Sequence, residues 1–575
     1  MDIVLTNAVV RTSDDALPLA DTVVIRDGRI AFVGERGGWA DAGELPVHDL
    51  GGRTVLPGFV DSHTHPSMVA QSLWHVRLPW TMDVQEILLF IRDYARAHPV
   101  EEAPFLYFEY YPSEMFRDFA PSKELLDTAV SDRPVLCQDF SEHAHWVNSK
   151  MLDLMGVTKD TPDPLPGLEV FARDDNGEPT GHLFEMAHVG FLPRMYEKIG
   201  WTPPEALTAD RVAAFFRFMT EHGVTTLFEA LVEDETIFDA ITELERRGEL
   251  NTYYEGSLRF RNSTDLPDAI ARLQRCHAQY ASEYIRLNTL KLFLDGTNES
   301  GTSALLAPLC SHVAGSNAGG LGEIGMETPE LTECFLLANS ESVDIHIHLV
   351  GDRAFRVACD AVEAAQQRVR DDGSEWGIQV TLAHCELVDP ADMVRPARLG
   401  IILNWTTHWS GGYFGEASEE HLGAERWNRM YRFNEFVDSG ALVAFSSDVV
   451  TAYELHRGNP FFGMQVAHTR IDPEFPLDES RFPERMRPGA SARISRERLL
   501  RGYTIDGAVQ LRLADKVGSI TVGKVANLTV LSEDLLTADA NRLREIHCDA
   551  VLFEGRLVAG ALPAAVSAVP ASSRL

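Results

Sequence analysis

Two histidines separated by one residue follow an apolar run near the N-terminus and are the first candidates for chemistry. In the segment LPGFVDSHTHP (residues 56–66), His63 and His65 follow Asp61 and Ser62, with Thr64 between the two histidines. Side chains at positions i and i+2 of a β-strand lie on the same face, so both imidazoles are expected to point the same way. Imidazole pairs bind divalent transition metals, although a single strand histidine is more often a hydrogen-bonded core residue.

Further polar residues stand at the ends of later apolar segments. DIHIHLVGDRA places His346 and His348 on one strand face, QVTLAHCE ends its apolar run at His384, and ALVAFSSD ends at Asp448. Each alone has a plain structural explanation, such as a core histidine or an aspartate that caps a helix. Their repeated position at strand ends is hard to obtain by chance and predicts a metal-binding cluster.

Lys291 adds a second kind of group to this cluster. The segment TLKLFLDG alternates so that Leu290 and Leu292 share one face while Lys291 lies on the other, facing the histidines. Burying an ammonium among metal-binding imidazoles is costly, although a buried lysine often pairs with a carboxylate. If Lys291 reacts with CO2, the carbamate is an anionic oxygen ligand that can bridge two cations.

Alternating strands and helices are predicted to position these residues. Strand candidates end at Val60, Phe140, Phe228, Leu294, Leu349, Leu382, Leu403 and Phe445. Helical stretches lie between them, which favours an α/β fold, a (β/α)8 TIM-like barrel. An open doubly wound sheet is the alternative. The barrel is favoured because polar residues recur at the C-terminal ends of most strands, and only in a barrel do all these ends meet at one site.

Both ends of the chain are rich in short strands bounded by glycine. We expect residues 1–56 and 516–575 to form one small β-sandwich, and residues 57–515 to form the catalytic barrel. Residues 66–200 are too many for one crossover. They are interpreted as an insertion that contributes the second barrel strand and a cap over the site.

Composition excludes several classes of function. The formal net charge is −35 over 575 residues, which argues against nucleic acid and against anionic membrane surfaces as partners. Seven dispersed cysteines predict reduced thiols rather than a disulfide framework. We see no signal-peptide pattern and no run of 18 apolar residues. A cytoplasmic protein that acts on a small molecule is therefore expected.

In order along the chain, a series of segments resembles the amidohydrolase superfamily of metal-dependent hydrolases. The similarity is greatest to amidohydrolase family 3, which includes N-substituted formamide deformylases. It covers nearly the whole chain, and the segments that carry it are LPGFVDSHTHP, PSKELLDTAVSDRPV, HAHWVNSKML, GEPTGHLFE, GVTTLFEA, LKLFLDGT, HIHLVGDRA, LAHCELVDP, SSD and GSITVGKVANLTVL.

This resemblance implies a binuclear site, with Zn²⁺ expected and Mn²⁺ or Fe²⁺ as alternatives. His63, His65 and Asp448 would hold one ion. His348 and His384 would hold the other, and carboxylated Lys291 would bridge the two together with a hydroxide. His348 matches the family position better than His346. The implied reaction is hydrolysis of a non-peptide C–N bond in an amide, N-formyl or N-acyl compound, with Asp448 as general base and then acid. Many family members are dimers, so a homodimer is expected.

The resemblance also implies roles for residues outside the metal ligands. His143, three residues before Trp146, would hydrogen-bond the developing oxyanion; His145 is the less favoured candidate. Glu185 matches a family position for substrate binding or cap ordering, and a charge at a helix start is an equal alternative. The predicted substrate-binding residues are His143, Glu185, Trp405, His408, Trp409 and Tyr413.

Strand seven departs from the family pattern. It reads LNWTTHWSGGYF, so His408 is kept while Trp405 and Thr406 replace a Gln-Pro pair. FEYYPSEMF also replaces a segment that is usually rich in Gly and Trp. Aromatic residues near the strand ends favour an apolar or aromatic substrate group, although half of them could be core. They are Trp74, Tyr110, Tyr111, Trp405, Trp409 and Tyr413.

Two other functions compete with amide hydrolysis. Mononuclear deaminases of the same barrel type place a glutamate three residues after the strand-five histidine, where this chain has Gly351 after His348 and Leu349 after His346. Esterase or lactonase activity uses the same activated carbonyl chemistry and stays open. A non-catalytic relative would lack ligands, whereas all six are present here.

Overall fold

The structure is a computed structural model that describes residues 1–39, 45–116, 120–185, 187–204, 206–310, 320–413, 416–489 and 492–565. Its strands are β1 (Ile3–Thr6), β2 (Val9–Arg11), β3 (Leu19–Ala20), β4 (Thr22–Arg26), β5 (Arg29–Gly34), β6 (Val47–Asp49), β7 (Thr54–Pro57), β8 (Phe59–Thr64), β9 (Val76–Arg77), β10 (Leu106–Tyr111), β11 (Val135–Asp139), β12 (Ala144–Val147), β13 (Phe171–Arg173), β14 (Pro179–Phe184), β15 (Val224–Val232), β16 (Tyr253–Arg259), β17 (Ile285–Phe293), β18 (Asp344–Leu349), β19 (Val380–His384), β20 (Ile402–Thr406), β21 (Val443–Ser446), β22 (Leu528–Leu531), β23 (Cys548–Phe553) and β24 (Arg556–Gly560).

The α-helices alternate with the strands through most of the chain. They are α1 (Pro66–Gln71), α2 (Val84–Ala97), α3 (Lys123–Asp127), α4 (Ser149–Met155), α5 (Leu192–Ile199), α6 (Ala209–Glu221), α7 (Thr236–Arg246), α8 (Leu266–Tyr280), α9 (Thr328–Glu341), α10 (Asp352–Asp371), α11 (Arg395–Leu399), α12 (Ala417–Asn428), α13 (Phe433–Asp438), α14 (Pro460–Thr469), α15 (Arg496–Arg501) and α16 (Gly507–Gln510). In the described parts of the chain, none of these helices has both the length and the apolar character that a membrane span requires.

Eight parallel strands form a nearly closed barrel, as the sequence predicts. They pair in the order β8, β15, β16, β17, β18, β19, β20, β21. The first and last strands face each other: Ser62 Oγ donates to the Phe445 carbonyl at 2.9 Å, and the Asp448 amide donates to the His63 carbonyl at 2.8 Å. The C-terminal ends of all eight strands therefore lie at one mouth.

Strand alternation decides which side chains enter the barrel. On β17, Leu290 and Leu292 belong to the large apolar cluster that includes Leu273 of helix α8 and Phe335 of helix α9. Lys291 lies on the opposite face and is 1% exposed. On this strand the leucines therefore pack outward against the helices, and the polar Lys291 lies on the inner face of the barrel.

The second and third barrel strands correct the sequence interpretation. The strand that ends near Phe140 is β11, which pairs with β10 and β12 in a separate six-stranded sheet rather than in the barrel. Barrel position two is taken by β15, and position three by β16 (Tyr253–Arg259), which the sequence reading missed. Because β11 carries the same buried apolar run as a barrel strand, its local pattern does not reveal which sheet it joins.

The inserted region forms this six-stranded sheet, in the order β13, β14, β12, β11, β10, β9. Two apolar clusters cover it. One contains Ile87 and Ile91 of α2, and the other contains Met151 and Met155 of α4. We call this region the cap sheet, because His143 and Glu142 in its β11–β12 turn reach the cavity at the barrel mouth.

The chain ends form two further sheets, and strands from both ends pair in one of them. One has the order β5, β4, β1, β6 and the other β24, β23, β22, β7, β2, β3. Strand β22, from near the C-terminus, pairs antiparallel with β7, from near the N-terminus. Leu5, Ile25, Val55, Leu528 and Leu552 share one buried apolar cluster between these strands, so the two ends stabilise each other.

Candidate metal centre and substrate cavity

Three ligand atoms converge at the barrel mouth. His65 Nε2 lies 3.0 Å and His63 Nε2 lies 3.4 Å from Asp448 Oδ1. The side chains of all three residues are buried, and their ligand atoms lie within 4.8 Å of one another. Among the described residues, this is the group of histidine, cysteine and acidic side chains that meets the spacing a metal ion needs.

Hydrogen bonds between the first and last barrel strands hold Asp448 against the two histidines. Asp61 Oδ1 accepts from the Ser447 amide at 3.1 Å, and Asp61 Oδ2 accepts from Ser447 Oγ at 2.5 Å. The Asp448 backbone has φ of +48°, in the left-handed region that non-glycine residues rarely adopt. Such a conformation costs about 1–3 kcal/mol and persists where the surroundings enforce it.

The other predicted histidines surround this centre. His384 Nδ1 lies 3.5 Å from Asp448 Oδ2, and the rings of His384 and His348 have centroids 4.5 Å apart. His346 lies deeper: its Nε2 is 3.0 Å from His63 Nδ1, and it does not line the cavity. His346 therefore fixes the orientation of the His63 ring, while His348 lines the cavity.

Burial keeps these imidazoles neutral. It lowers the pKa of His63, His346, His348 and His384 well below the usual range, and the charge of Lys291 adds to this effect at each of them. Neutral imidazole is the form that binds a metal. For Asp448, burial opposes ionisation, but the hydrogen bond and charge of His65 outweigh it and lower the pKa.

Lys291 lines the same cavity. Burial lowers its pKa to about 7, against the opposing influence of Asp448, and the charge of Arg259 lowers it further. A neutral amine is the form that reacts with CO2, so a substantial fraction of Lys291 is in the reactive form near neutral pH.

The residues present fit a divalent metal. Two imidazole nitrogens and a carboxylate oxygen form a donor set that suits Zn²⁺. These three atoms come from buried side chains and lie within 4.8 Å of one another, close enough for one ion to contact them all. His348, His384 and Lys291 add donors on the other side of Asp448.

His143 and Glu185 form a second polar pair at the cavity wall. His143 Nδ1 lies 2.6 Å from Glu185 Oε2, and Glu185 Oε1 accepts from Thr302 Oγ1 at 3.2 Å. Burial disfavours protonation of His143, but the charge and hydrogen bond of Glu185 prevail, so its pKa is raised. The Glu185 backbone is also left-handed, with φ of +53°. The free edge of the His143 ring can therefore donate a hydrogen bond into the cavity.

A cavity of about 110 Å³ lies over these groups. Ten of the predicted site residues line it; they are His63, His65, His143, Glu185, Lys291, His348, His384, Trp409, Tyr413 and Asp448. The ring of Trp409 stacks on His384 with centroids 5.1 Å apart. The predicted cluster is therefore brought together around one space.

Trp405 and His408, also predicted to bind substrate, are not among the residues that line this cavity. Trp405 is on the outward face of β20 and packs against Phe433 and Phe436 in the apolar core. His408 follows the strand in a single helical turn, and its ring lies behind Tyr413 with centroids 5.2 Å apart. Strand alternation directs Trp405 outward, and His408 is buried in the helical turn that follows the strand.

The cavity also contains residues that sequence reasoning missed. Glu142 and Gln138 come from the cap sheet, and Glu454 comes from the helical turn Ala452–Gly458 that follows the last barrel strand. None of them stands at a barrel strand end, where the sequence search looked. The one signal for Glu454 in the sequence is its position, six residues after Asp448.

The comparisons with known proteins agree with this geometry. The profile of a family described as "Amidohydrolase family" matches residues 46–559. The chain is 26% identical over 582 residues to the N-substituted formamide deformylase of Arthrobacter pascens, with 97% of this chain and 98% of that protein covered. It is 26% identical over 448 residues to the exoenzymes regulatory protein AepA of Pectobacterium carotovorum subsp. carotovorum, covering 76% of this chain and 92% of that protein.

The fold is shared with solved structures. An uncharacterized metal-dependent hydrolase from Pyrococcus horikoshii OT3 superposes with a TM-score of 0.64 at 20% identity, over 94% of this chain and 99% of that chain. The family match spans the barrel, the cap sheet and part of both chain ends, and it includes every residue of the metal cluster. On this evidence the chain belongs to the amidohydrolase family.

Proposed function

We propose that this protein hydrolyses a non-peptide C–N bond in an amide, N-formyl or N-acyl compound. The observation that carries the proposal is the convergence of His63 Nε2 and His65 Nε2 on Asp448 Oδ1 in a buried cavity. Family membership makes the chain a hydrolase. The relative named N-substituted formamide deformylase, matched over nearly its full length, supports a C–N bond as the target.

The proposed site holds two Zn²⁺ ions. His63, His65 and Asp448 would bind one, His348 and His384 the other, and a carbamate on Lys291 would bridge them. When bound, such ions polarise a carbonyl group and lower the pKa of water. The lowered pKa of Lys291 supports carbamate formation, because a neutral amine is available near pH 7.

The protein residues then divide the remaining work. Asp448 lies beside three imidazoles and is ionised, so it can accept a proton from the attacking water and return it to the leaving amine. His143, held by Glu185, is placed to donate a hydrogen bond to the carbonyl oxygen as negative charge develops there. Trp409, stacked on His384, closes one wall of the cavity and limits access of bulk water.

The test is a substrate panel with the zinc-loaded protein. We expect N-formyl and N-acyl amines to be cleaved, with release of amine and carboxylic acid, faster than matched esters and faster than amino-substituted heterocycles. An Asp448→Asn variant serves as the inactive control for contaminating hydrolases. Release of ammonia from the heterocycles with no cleavage of amides would contradict the proposal.

Metal content provides a test independent of substrate choice. Elemental analysis of protein loaded with zinc and freed of excess ion should give about two equivalents per chain. One equivalent, with Lys291→Ala unchanged in metal content, would overturn the binuclear arrangement but leave a mononuclear hydrolase. No retained metal would overturn the proposal as a whole.

A further inference from the structure

Two carboxylates line the same cavity as the groups that would bind metal. Glu142 lies in the turn between β11 and β12 of the cap sheet, and Glu454 lies in the helical turn after the last barrel strand. Glu454 is 5% exposed. They are 312 positions apart in the sequence, so their meeting at one cavity is a product of the fold. Neither takes part in the proposed reaction.

Neither acid forms an ion pair with a basic side chain in the part of the chain that the structure describes. Among the described residues, no basic group lies within 4.0 Å of the carboxylate of Glu142 or Glu454. The nearby guanidinium of Arg457 is held elsewhere: its Nη1 lies 2.9 Å from Asp472 Oδ2, and its Nη2 lies 2.9 Å from Glu474 Oε2. The base that could balance Glu454 is thus already paired.

Hydrogen-bond donors are also too few. The hydroxyl of Tyr110 lies 3.0 Å from Glu142 Oε1 and is the hydrogen-bond neighbour of Glu454. The same hydroxyl lies 2.5 Å from Thr451 Oγ1. A phenol carries one proton, so it can donate to one of these acids at a time. A third acid, Glu109, is already paired with His75 Nδ1 at 2.5 Å. These two carboxylates therefore share one donor, the Tyr110 hydroxyl.

The electrostatics support the same conclusion. Burial raises the pKa of Glu454 to about 7, against the opposing influence of Arg457, and burial together with the charge of Glu454 raises the pKa of Glu142 well above its usual range. Carboxylates in this situation hold a proton unless a cation joins them. Aromatic rings also line the cavity, among them those of Phe140, Trp409 and Tyr413. Acids beside aromatic faces form an environment that suits an organic cation.

We infer that this end of the cavity binds a cationic amine of the substrate, so that the substrate is an amide, N-formyl or N-acyl compound that also carries an ammonium group. The ammonium offers three hydrogen-bond donors. Glu142 and Glu454 need such donors, because the Tyr110 hydroxyl can donate to only one of them at a time. The inference rests on the proposed function for the identity of the cleaved bond. The binding of the amine itself depends only on this wall of the cavity.

The first experiment compares two substrates of equal length. N-formyl-1,4-diaminobutane ends in an ammonium, and N-formylpentylamine ends in a methyl group at the same place. We expect kcat/KM of the zinc-loaded enzyme to be at least about 10-fold higher for the diamine derivative, since a charge-assisted hydrogen bond contributes on that scale. Equal values for the two substrates, also when each chain is one or two methylenes longer, would overturn the inference.

Isosteric variants locate the effect. Glu454→Gln and Glu142→Gln each keep the shape of the side chain and remove its charge, so the ratio of the two kcat/KM values should fall about 10-fold. Glu479→Gln makes the same change at an exposed glutamate that does not line the cavity, and it is the matched control that should keep the ratio. An unchanged ratio in both Gln variants would overturn the inference.

Calorimetry separates this inference from the proposed function. The probe is 1,4-diaminobutane, titrated into the zinc-loaded wild-type protein beside 1,4-butanediol as the neutral comparison. Binding of the diamine but not the diol, even if no amide is hydrolysed, supports the amine site while the proposed function fails. Hydrolysis of amides without any preference for the diamine, in rate or in binding, supports the proposed function while the amine site fails. The wild-type measurement needs no variant to fold.

Discussion

The protein contains two groups of buried histidines, which differ in the groups that surround them and in their access to the cavity. The barrel group, His63, His65, His348 and His384, surrounds the carboxylate of Asp448 and lines the cavity. The cap group consists of His145, His182 and His188. The rings of His145 and His188 have centroids 4.2 Å apart, and no member of the cap group lines the cavity.

The difference indicates what a metal site needs besides buried imidazoles. Burial lowers the pKa in both groups, so both contain neutral rings. The Nδ1 atoms of all three cap histidines are buried without a hydrogen-bond partner among the described residues, and no carboxylate converges on them. An anionic group at the centre and a space beside it, rather than the number of histidines, distinguish the barrel group.

Removing the central carboxylate should have the largest effect. Asp448→Asn keeps the size of the side chain but removes the charge that two Nε2 atoms approach within 3.4 Å. We expect loss of tightly bound metal and a fall in kcat of about 10⁴-fold, since general acid–base catalysis is lost as well. Elemental analysis and steady-state kinetics check this. Full metal content in the variant would show that the carboxylate is not what defines the barrel group.

Lys291→Ala should have the next largest effect. It removes the amine that would carry the bridging carbamate, and several kcal/mol of transition-state stabilisation correspond to a loss of about 10³-fold. Added formate or acetate together with zinc should restore part of the activity, because a small carboxylate can occupy the space left by the side chain. A variant that keeps full activity without any added acid would exclude a bridging role for Lys291.

Much of the barrel group could be predicted from sequence because its members stand at strand ends. The alternation that places Lys291 inside and Leu290 outside is local, and the (β/α)8 fold then requires such ends to meet. The same reasoning was wrong for the cap sheet, because β11 has the sequence pattern of a barrel strand but pairs with β10. The pattern within a strand reports burial and not the identity of its neighbours.

The acid side of the cavity could not be predicted at all. Glu142 and Glu454 lie in turns, where no periodicity marks the direction of a side chain. Tyr110, which joins them, has φ of +71°, and Glu142 has φ of +64°. Backbone conformations of this kind depend on tertiary packing rather than on local propensity. Sequence therefore indicated the chemistry of the site better than its specificity.

The His143–Glu185 pair should have an intermediate effect that depends on pH. Glu185 raises the pKa of His143, so Glu185→Gln should lower it, and the imidazolium should be lost at a lower pH than in the wild type. If His143 donates to the oxyanion as a cation, the alkaline limb of kcat against pH moves to lower pH. His143→Ala should lower kcat about 10²-fold with metal content unchanged. Loss of metal in His143→Ala would place His143 among the ligands.

The smallest effect on function is expected from the cap group. His188→Phe replaces one ring by another of similar size and should leave metal content unchanged and activity within about twofold. Its effect should appear in stability against pH. Burial lowers the pKa of His188 from 6.5 to about 4, so the unfolded chain binds a proton between these values that the folded chain excludes. Stability is therefore lost as the pH falls through this window.

The same shift gives the size of that effect. At pH 5 exclusion of this proton lowers the free energy of unfolding of the wild type by about 2 kcal/mol. The Phe variant has no such proton to exclude and does not show this loss. Urea unfolding at pH 7 and pH 5 should show a smaller decline for His188→Phe than for the wild type. His547→Phe, at a position where the side chain is 72% exposed, is the control that should follow the wild type. An equal decline in all three proteins, or release of metal from His188→Phe, would mean that the two histidine groups are less distinct than their geometry indicates.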